Sequence, residues 1–342
     1  MVSTVTSDRM AEIRERAAAA PPARERNLAA RIGLPEAALI AAHAEGDGPW
    51  RSVPIAAAPD RLMPVVQGLG EVMALTRNEH CVIEKVGIYE GWQGGDHAGM
   101  ILGPEIDLRV FPKHWAHAWA VEKDGEDDLR RSLQIFDAAG DAVHKVFLRE
   151  GSDVRVWDAA SKALCAEGGL PDFAPRVPTE GPKIDPAKAG RLRDGWRRMT
   201  DAHQFLILVR RMKLNRLGAY RIAGPPFARR LCPGAVVAAL EGLAGSRLPV
   251  MVFVGNAGCI EIHTGPLDRV APTGPWINVL EPRHNLHLRA DKVAEVWAVE
   301  KPTGRGPALS VEAFGVRKEE VDHHEPWAEL VAGLPAPEET PL

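Results

Sequence analysis

Short apolar or alternating runs, broken by Gly, Pro, Asp and Asn, recur along the chain and predict β-strands. They are "VMALTRN" (72–78), "HCVIEKVG" (80–87), "EIDLRVF" (105–111), "HAWAVEK" (117–123) and "RSLQIFDAAGDAVHKVFLRE" (131–150). In the last, "DAAGD" (137–141) reads as the turn of a hairpin. A different period precedes each group of strands. "SDRMAEIRERAAAA" (7–20) and "RNLAARIGLPEAALIAAHA" (26–44) carry helical spacing and good helix formers. Their counterpart is 186–223, with Asp185 and Pro186 placed as N-cap and first helical residue.

The second half of this pattern repeats the first. At an offset of 178 residues, 72–123 lies on 250–301 without a gap and with 14 identities in 52 positions. Background composition would give roughly 3 or 4, so chance is a poor explanation. Val72, Met73, Asn78, Cys81 and Gly87 equal Val250, Met251, Asn256, Cys259 and Gly265, and "WAVEK" occurs at both 119–123 and 297–301. The register still holds for "SLQIF" (132–136) over "SVEAF" (310–314). The expected fold is therefore α+β by internal duplication, two similar halves each an antiparallel sheet with helices at one side. The expected domains are 1–170, a proline-rich linker 171–186, a second repeat 187–331 and a disordered tail 332–342. After "SVEAF" comes the polar "GVRKEEVDHHEPW", so a hairpin near the end of the second sheet is expected to be missing or shortened.

Totals add exclusions. The 342 residues are about two domains' worth, and net charge −4 with 45% apolar residues describes an ordinary globular protein. Nothing is long and apolar enough for a membrane span, and the polar start lacks the apolar core of a secretory signal. Four scattered cysteines form no C-x-x-C pair, which argues against a zinc ribbon or covalent haem attachment and suits a reducing cytoplasm.

Charge is uneven. Residues 191–230 hold eleven Arg or Lys against two acids, Asp194 and Asp201. This is either a solvated helix surface or a face for an anionic ligand. Nucleic acid is the less favoured occupant, because the stretch lacks interleaved aromatics for base stacking. On a helix, His203 would share a stripe with Met199, Leu206 and Ile207. It reads either as a satisfied core histidine or as the single axial ligand of a planar, apolar, anionic molecule, which means haem. His114/His117 and His284/His287 have metal-like spacing, yet i,i+3 residues of a strand point to opposite faces. His323–His324 lies in polar sequence, Cys232–Pro233 reads as a loop, and Cys81 and Cys259 read as core. No G-x-S-x-G, Walker or G-x-G-x-x-G signature occurs.

The segments "LGEVMALTRNEHCVIEKVGIYEG", "GPEIDLRVFPKHWAHAWAVE", "GPWINVLEPRHNLHLR" and "AEVWAVEKPT" resemble the cytoplasmic haemin-binding proteins often labelled haemin-degrading factors. The resemblance spans about residues 20–317. It implies the duplicated α+β fold with two large antiparallel sheets, the sheets stacked, plus helices, haem as ligand, and His203 of "DAHQF" as the axial iron ligand. Arg109 of "IDLR" is implied as a distal arginine, catalytic only if the protein opens the porphyrin ring itself. Arg216, Phe253 and Lys301 match pocket positions. Arg317 matches a distal pattern weakly, since "EAFGVR" has Glu312 where Gln is common and Phe314 also fits the preceding strand. The implied function is haem trafficking from an ATP-driven (ABC) importer to a haem oxygenase or other acceptor, as a monomer or dimer. The alternative is haem degradation with external reductant.

Overall fold

The alternation read from the sequence is realised as pairing and burial in the computed structural model. It describes residues 4–44, 48–125, 128–178, 180–316 and the two-residue strand 324–325. These fall into two compact units. One is drawn from Met1–Arg77, Glu84–Val177 and Asn256–Glu261, the other from Asn78–Ile83, Pro178–Gly255 and Ile262–Leu342.

The first half of the chain runs α1 (Thr4–Ala19), α2 (Glu25–Arg31), α3 (Glu36–Ala41), β1 (Trp50–Ile55), α4 (Pro59–Gly68), β2 (Val72–Arg77) and β3 (Cys81–Gly87). It continues with β4 (Gly99–Leu102), β5 (Asp107–Val110), β6 (His117–Asp124), β7 (Leu129–Phe136), β8 (Ala142–Leu148) and α5 (Val154–Ala163). Within the first unit, strands pair in the order β1-β6-β7-β8-β2, all antiparallel. In β2 every second residue faces inward, so Val72, Ala74 and Thr76 are buried. The 26–44 segment forms two helices rather than one, because Gly33 and Pro35 interrupt it. The "DAAGD" turn forms as expected. The Asp137 carboxylate accepts from the Ala139 and Asp141 amides, each at 2.9 Å. Gly140 has φ +80°, and a Cβ there would meet Pro35 at 2.7 Å, so glycine is needed twice over.

The second half runs α6 (Ala189–Arg197), α7 (Gln204–Arg211), α8 (Arg216–Ala223), β9 (Ala228–Leu231), α9 (Ala235–Leu243), β10 (Val250–Gly255) and β11 (Cys259–Gly265). It ends with β12 (Val270–Thr273), β13 (Trp276–Leu280), β14 (His284–Arg289), β15 (Val293–Thr303), β16 (Gly306–Val316) and β17 (His324–Glu325). β10 and β11 coincide residue for residue with β2 and β3 shifted by 178, so the duplication is structural as well as textual. In the second unit β9-β15-β16-β17 form one antiparallel sheet and β12-β13-β14 another ladder. After β16 the two-residue strand β17 pairs with Gly315 and Val316, and the rest of the hairpin expected to be missing or shortened after "SVEAF" lies outside the described residues. Residues 317–323 and 326–342, including His323 and the expected tail, lie outside the described residues.

Among its described residues the proline-rich stretch carries no strand or helix before a 3-10 turn at Pro186–Lys188, where the Asp185 side chain accepts from the Ala187 amide as the expected cap. It is nonetheless anchored. Phe173 packs on the core of the first unit, Arg176 chelates Asp141 at 2.6 and 2.8 Å, and Ala174 N–H donates to Ala138. Further on, the Lys183 amide donates to Asn215 in the second unit.

One polar cluster lies in the first unit's core. His144 is fully buried, bonded through Nε2 to the Tyr89 hydroxyl at 2.6 Å and through Nδ1 to Thr76 at 2.8 Å. Burial pulls its pKa down to about 3, so the ring is neutral. Glu261 Oε2 lies 4.0 Å from it. Burial pushes the Glu261 carboxyl up to about 8, against the opposing pull of Thr76 and Lys85. A raised carboxyl favours the folded state when protonated, so its contribution is present below the ordinary value of 4.5 and is lost as pH rises through about 8. Glu261→Gln should therefore be more stable than the parent above pH 8 by about 2–4 kcal/mol. Urea unfolding from pH 5 to 9 checks this; a constant difference across that range would exclude a neutral Glu261.

Candidate functional site

Apolar anchors at an i, i+4, i+7 spacing set the face that α7 turns inward. Phe205, Val209 and Met212 are buried, joining a core with Trp196, Tyr220 and Phe314. Phe314 thus belongs to β16 and its core, settling which of its two sequence roles applies. Leu206 and Ile207, on the other side of α7, are exposed, at 39% and 51%.

His203 is not on a continuous helix with Met199. α6 ends at Arg197, Met199 is core, and the chain turns before α7 begins at Gln204. Asp201 makes that turn by accepting from the His203 amide at 2.7 Å, and Gln204 accepts from the Thr200 amide at 2.9 Å. The His203 side chain is 93% exposed, so the core-histidine reading fails. Its Nδ1 lies 2.7 Å from Asp201 Oδ1. A carboxylate only accepts, so in a neutral ring this contact places the proton on Nδ1 and leaves the Nε2 lone pair for a metal. The His203 backbone and ring together hold the Asp201 carboxyl below its ordinary value.

The turn is fastened to the β15–β16 hairpin. Gly304 N–H donates to Thr200 at 2.8 Å, and the Trp196 indole donates to Glu300 at 2.9 Å. Inside that hairpin Glu312 is fully buried. It accepts from Lys301 at 2.7 Å, the Tyr220 hydroxyl at 2.6 Å and Ser310 at 3.0 Å, with the Arg216 guanidinium 3.7 Å away. Burial alone would raise its pKa. Lys301, Arg216 and the Tyr220 hydroxyl override that and hold it well below the usual carboxylate range. Lys301 Nζ also lies 5.3 Å over the Phe205 ring, two residues from His203.

Four of the six expected site residues, His203, Arg216, Phe253 and Lys301, lie in the second unit. Arg216 and Lys301 meet at Glu312. Phe253 is half-buried on β10, on the opposite side of the strand from core residues Val252 and Val254. Arg109 belongs to the first unit, on β5, where it pairs with Asp107 and donates to the Leu108 carbonyl at 3.0 Å. Arg317 lies outside the described residues. A recess of about 510 Å³ lies beside α7 and α8. Leu206, Val209 and Leu214 supply apolar wall, and Arg210, Lys213 and Arg216 supply positive charge. Several cations of the 191–230 stretch are structural. Arg216 faces Glu312, Arg221 and Arg230 face the buried Glu295, and Arg197 pairs with Asp194.

A model of the haemin-degrading HemS.ChuX domain matches residues 33–164 and 213–324. The chain belongs to the HemS.ChuX family. It is 34% identical to the hemin transport protein HmuS of Yersinia pestis over 90% of this chain and 92% of that one. Holo-PhuS, a heme-binding protein from Pseudomonas aeruginosa, superposes with TM-score 0.83 at 36% identity, covering 94% and 96% of the two chains. ChuS, described as an E. coli heme oxygenase, superposes with TM-score 0.76 at 30% identity, covering 92% and 94%. The α+β fold of two similar halves expected from the repeat is the fold of this family.

Sequence reading of this HemS.ChuX chain missed Glu312 as a hub and missed Asp201 as the group orienting His203. The repeat held a signal for the first. Glu312 aligns with Gln134, which is buried and bonded to Ser132, while Lys123 pairs with Glu25 at 3.2 Å. A carboxylate replaces the amide in the half where the second WAVEK lysine turns inward. Depressed in the folded state, Glu312 contributes stability above its ordinary value of 4.5, lost as pH falls from there through the folded value. Glu312→Gln should cost about 2–4 kcal/mol at pH 7, with the gap from the parent narrowing below pH 4.5. Denaturant unfolding at pH 7 and pH 4 measures both; an equal gap at the two values would refute the pairing.

Proposed function

We propose that this chain binds haem on the second unit through His203 and traffics it in the cytoplasm. Haemin arrives from an ABC importer and leaves to a haem oxygenase or another acceptor. The observation that carries the reading is the exposed imidazole of His203, its Nδ1 held by Asp201 and its neighbours Leu206 and Ile207 left bare, in a chain of the HemS.ChuX family. The names of HmuS and holo-PhuS point the same way, since one is described as a hemin transport protein and the other as heme-binding. Haem supplies a Lewis-acidic iron, a broad apolar face and two carboxylates. Nε2 of His203 suits the iron, and bare leucine and isoleucine suit the porphyrin face. Arg210, Lys213 and Arg216 beside the recess suit propionates.

Glu312 tempers the grip. Lys301 and Arg216 are already close to a carboxylate, so a propionate reaching them competes with Glu312. A single protein ligand and shared cations suit a carrier that must release its cargo. No helix among the described residues is long and apolar enough to cross a membrane.

The second reading is ring opening by the protein itself, with Arg109 as a polar group near the reacting face. The description of ChuS as a heme oxygenase favours it. No flavin or nicotinamide signature occurs, so reductant would come from outside. Turnover that survives catalase supports the enzyme; turnover abolished by catalase leaves the carrier.

Titrating the ligand-free protein with haemin should give one saturable Soret transition per chain. His203→Ala should weaken binding by about tenfold or more and shift the Soret maximum. Equal affinity and an unchanged spectrum would remove His203 from the iron.

A further inference from the structure

We propose that His263, His284 and Glu281 form a binding site for a divalent cation of the zinc class, separate from the haem ligands. His263 lies on β11 and His284 opens β14; both are buried, at 6% and 3% exposure. Their rings stack with centroids 3.8 Å apart and planes 6° from parallel. Glu281, in the β13–β14 turn, places Oε2 3.6 Å from His284 Nδ1. One ligand atom from each of the three lies within 4.8 Å of the others.

The carboxylate is oriented from behind. Glu281 Oε1 accepts from the Asp268 amide at 3.0 Å, and the Glu281 amide donates to the His284 carbonyl at 2.9 Å. That fixes the turn and leaves Oε2 on the imidazole side, the backing that a metal-binding carboxylate needs.

Two imidazoles and one carboxylate are the donor set of open zinc sites, with water as the fourth ligand. Tetrahedral ligands at about 2.0–2.1 Å from zinc stand roughly 3.4 Å apart, so the observed cluster closes by a modest contraction. In parallel rings the in-plane lone pairs do not converge, so one ring must turn about Cβ–Cγ. At His263 the neighbouring backbone carries no Cβ. Gly265 lies beside Cε1 and Nε2, and a Cβ there would stand 3.3 Å from each. Gly265 also has φ +153°, which disfavours any side chain in that space.

The repeat gives an independent contrast. At the same 178-residue offset, His263, Glu281 and His284 align with Lys85, Gly103 and Ile106. None of the three ligands occurs in the first half, so the cluster is not a requirement of the shared scaffold. The spacing His284-x-x-His287 is also not the pair that matters, since His287 turns to Asn278 at 2.7 Å.

The test uses the full chain without haem, carrying His203→Ala so that the exposed imidazole does not compete. Titrated with Co²⁺, it should take up one ion per chain, with visible ligand-field bands that Zn²⁺ abolishes. Glu281→Gln, at a half-buried position, should keep the fold and weaken uptake at least tenfold, while haemin titration of the same substitution in the parent is unchanged. Imidazole ¹⁵N resonances of His263 and His284 should move on adding Zn²⁺. Absence of the bands, equal uptake by Glu281→Gln, or Zn²⁺ binding that leaves both rings unmoved would overturn the site.

Discussion

The second unit depends on a carboxylate that water cannot reach. Removing Glu312 from solvent would cost several kcal/mol if it stood alone. Instead it collects an ammonium, a phenol and a hydroxyl, with a guanidinium nearby, drawn from β15, α8 and β16 itself. Each donor is fixed because the carboxylate is shared, so the helix and both strands are set in one register. Phe205 lies under Lys301, and the His203 turn is bonded to the end of the same hairpin, so the exposed imidazole stands on a rigid base.

Duplication supplied the frame and divergence supplied the chemistry. In the first half Gln134 occupies the Glu312 position, bonds to Ser132, and leaves Lys123 to pair with Glu25 over the Trp50 ring. An amide needs no buried counter-charge; a carboxylate does. One difference in side-chain charge therefore separates a strand whose amide bonds a serine from one whose carboxylate gathers an ammonium and a guanidinium. His263, Glu281 and His284 repeat the lesson, converging where the first half has Lys85, Gly103 and Ile106.

Strands whose pattern is local were legible. β2 and β3, their copies β10 and β11, the Asp137 turn and the Asp185 cap all fall where alternation and turn chemistry place them. The edge strands β1 and β9 were not, because "WRSVPI" holds a proline and "ARRL" only four residues, and both owe their form to pairing with β6 and β15. The resemblance singled out His203, but its setting was not legible. A helical wheel put it on one stripe with Met199, whereas Asp201 and Gln204 break the helix and turn the ring to solvent.

By itself the sequence determined the duplication, the α+β class, the alternation of the main strands and the family, since each rests on neighbours or on a fixed offset along the chain. Tertiary structure decided which polar groups meet: Lys301 with Glu312, Asp201 with His203 across a broken helix, His263 with His284 from different strands. Periodicity states which face a side chain takes, but the partner it meets depends on register between strands and on where a helix stops, and long-range packing sets both.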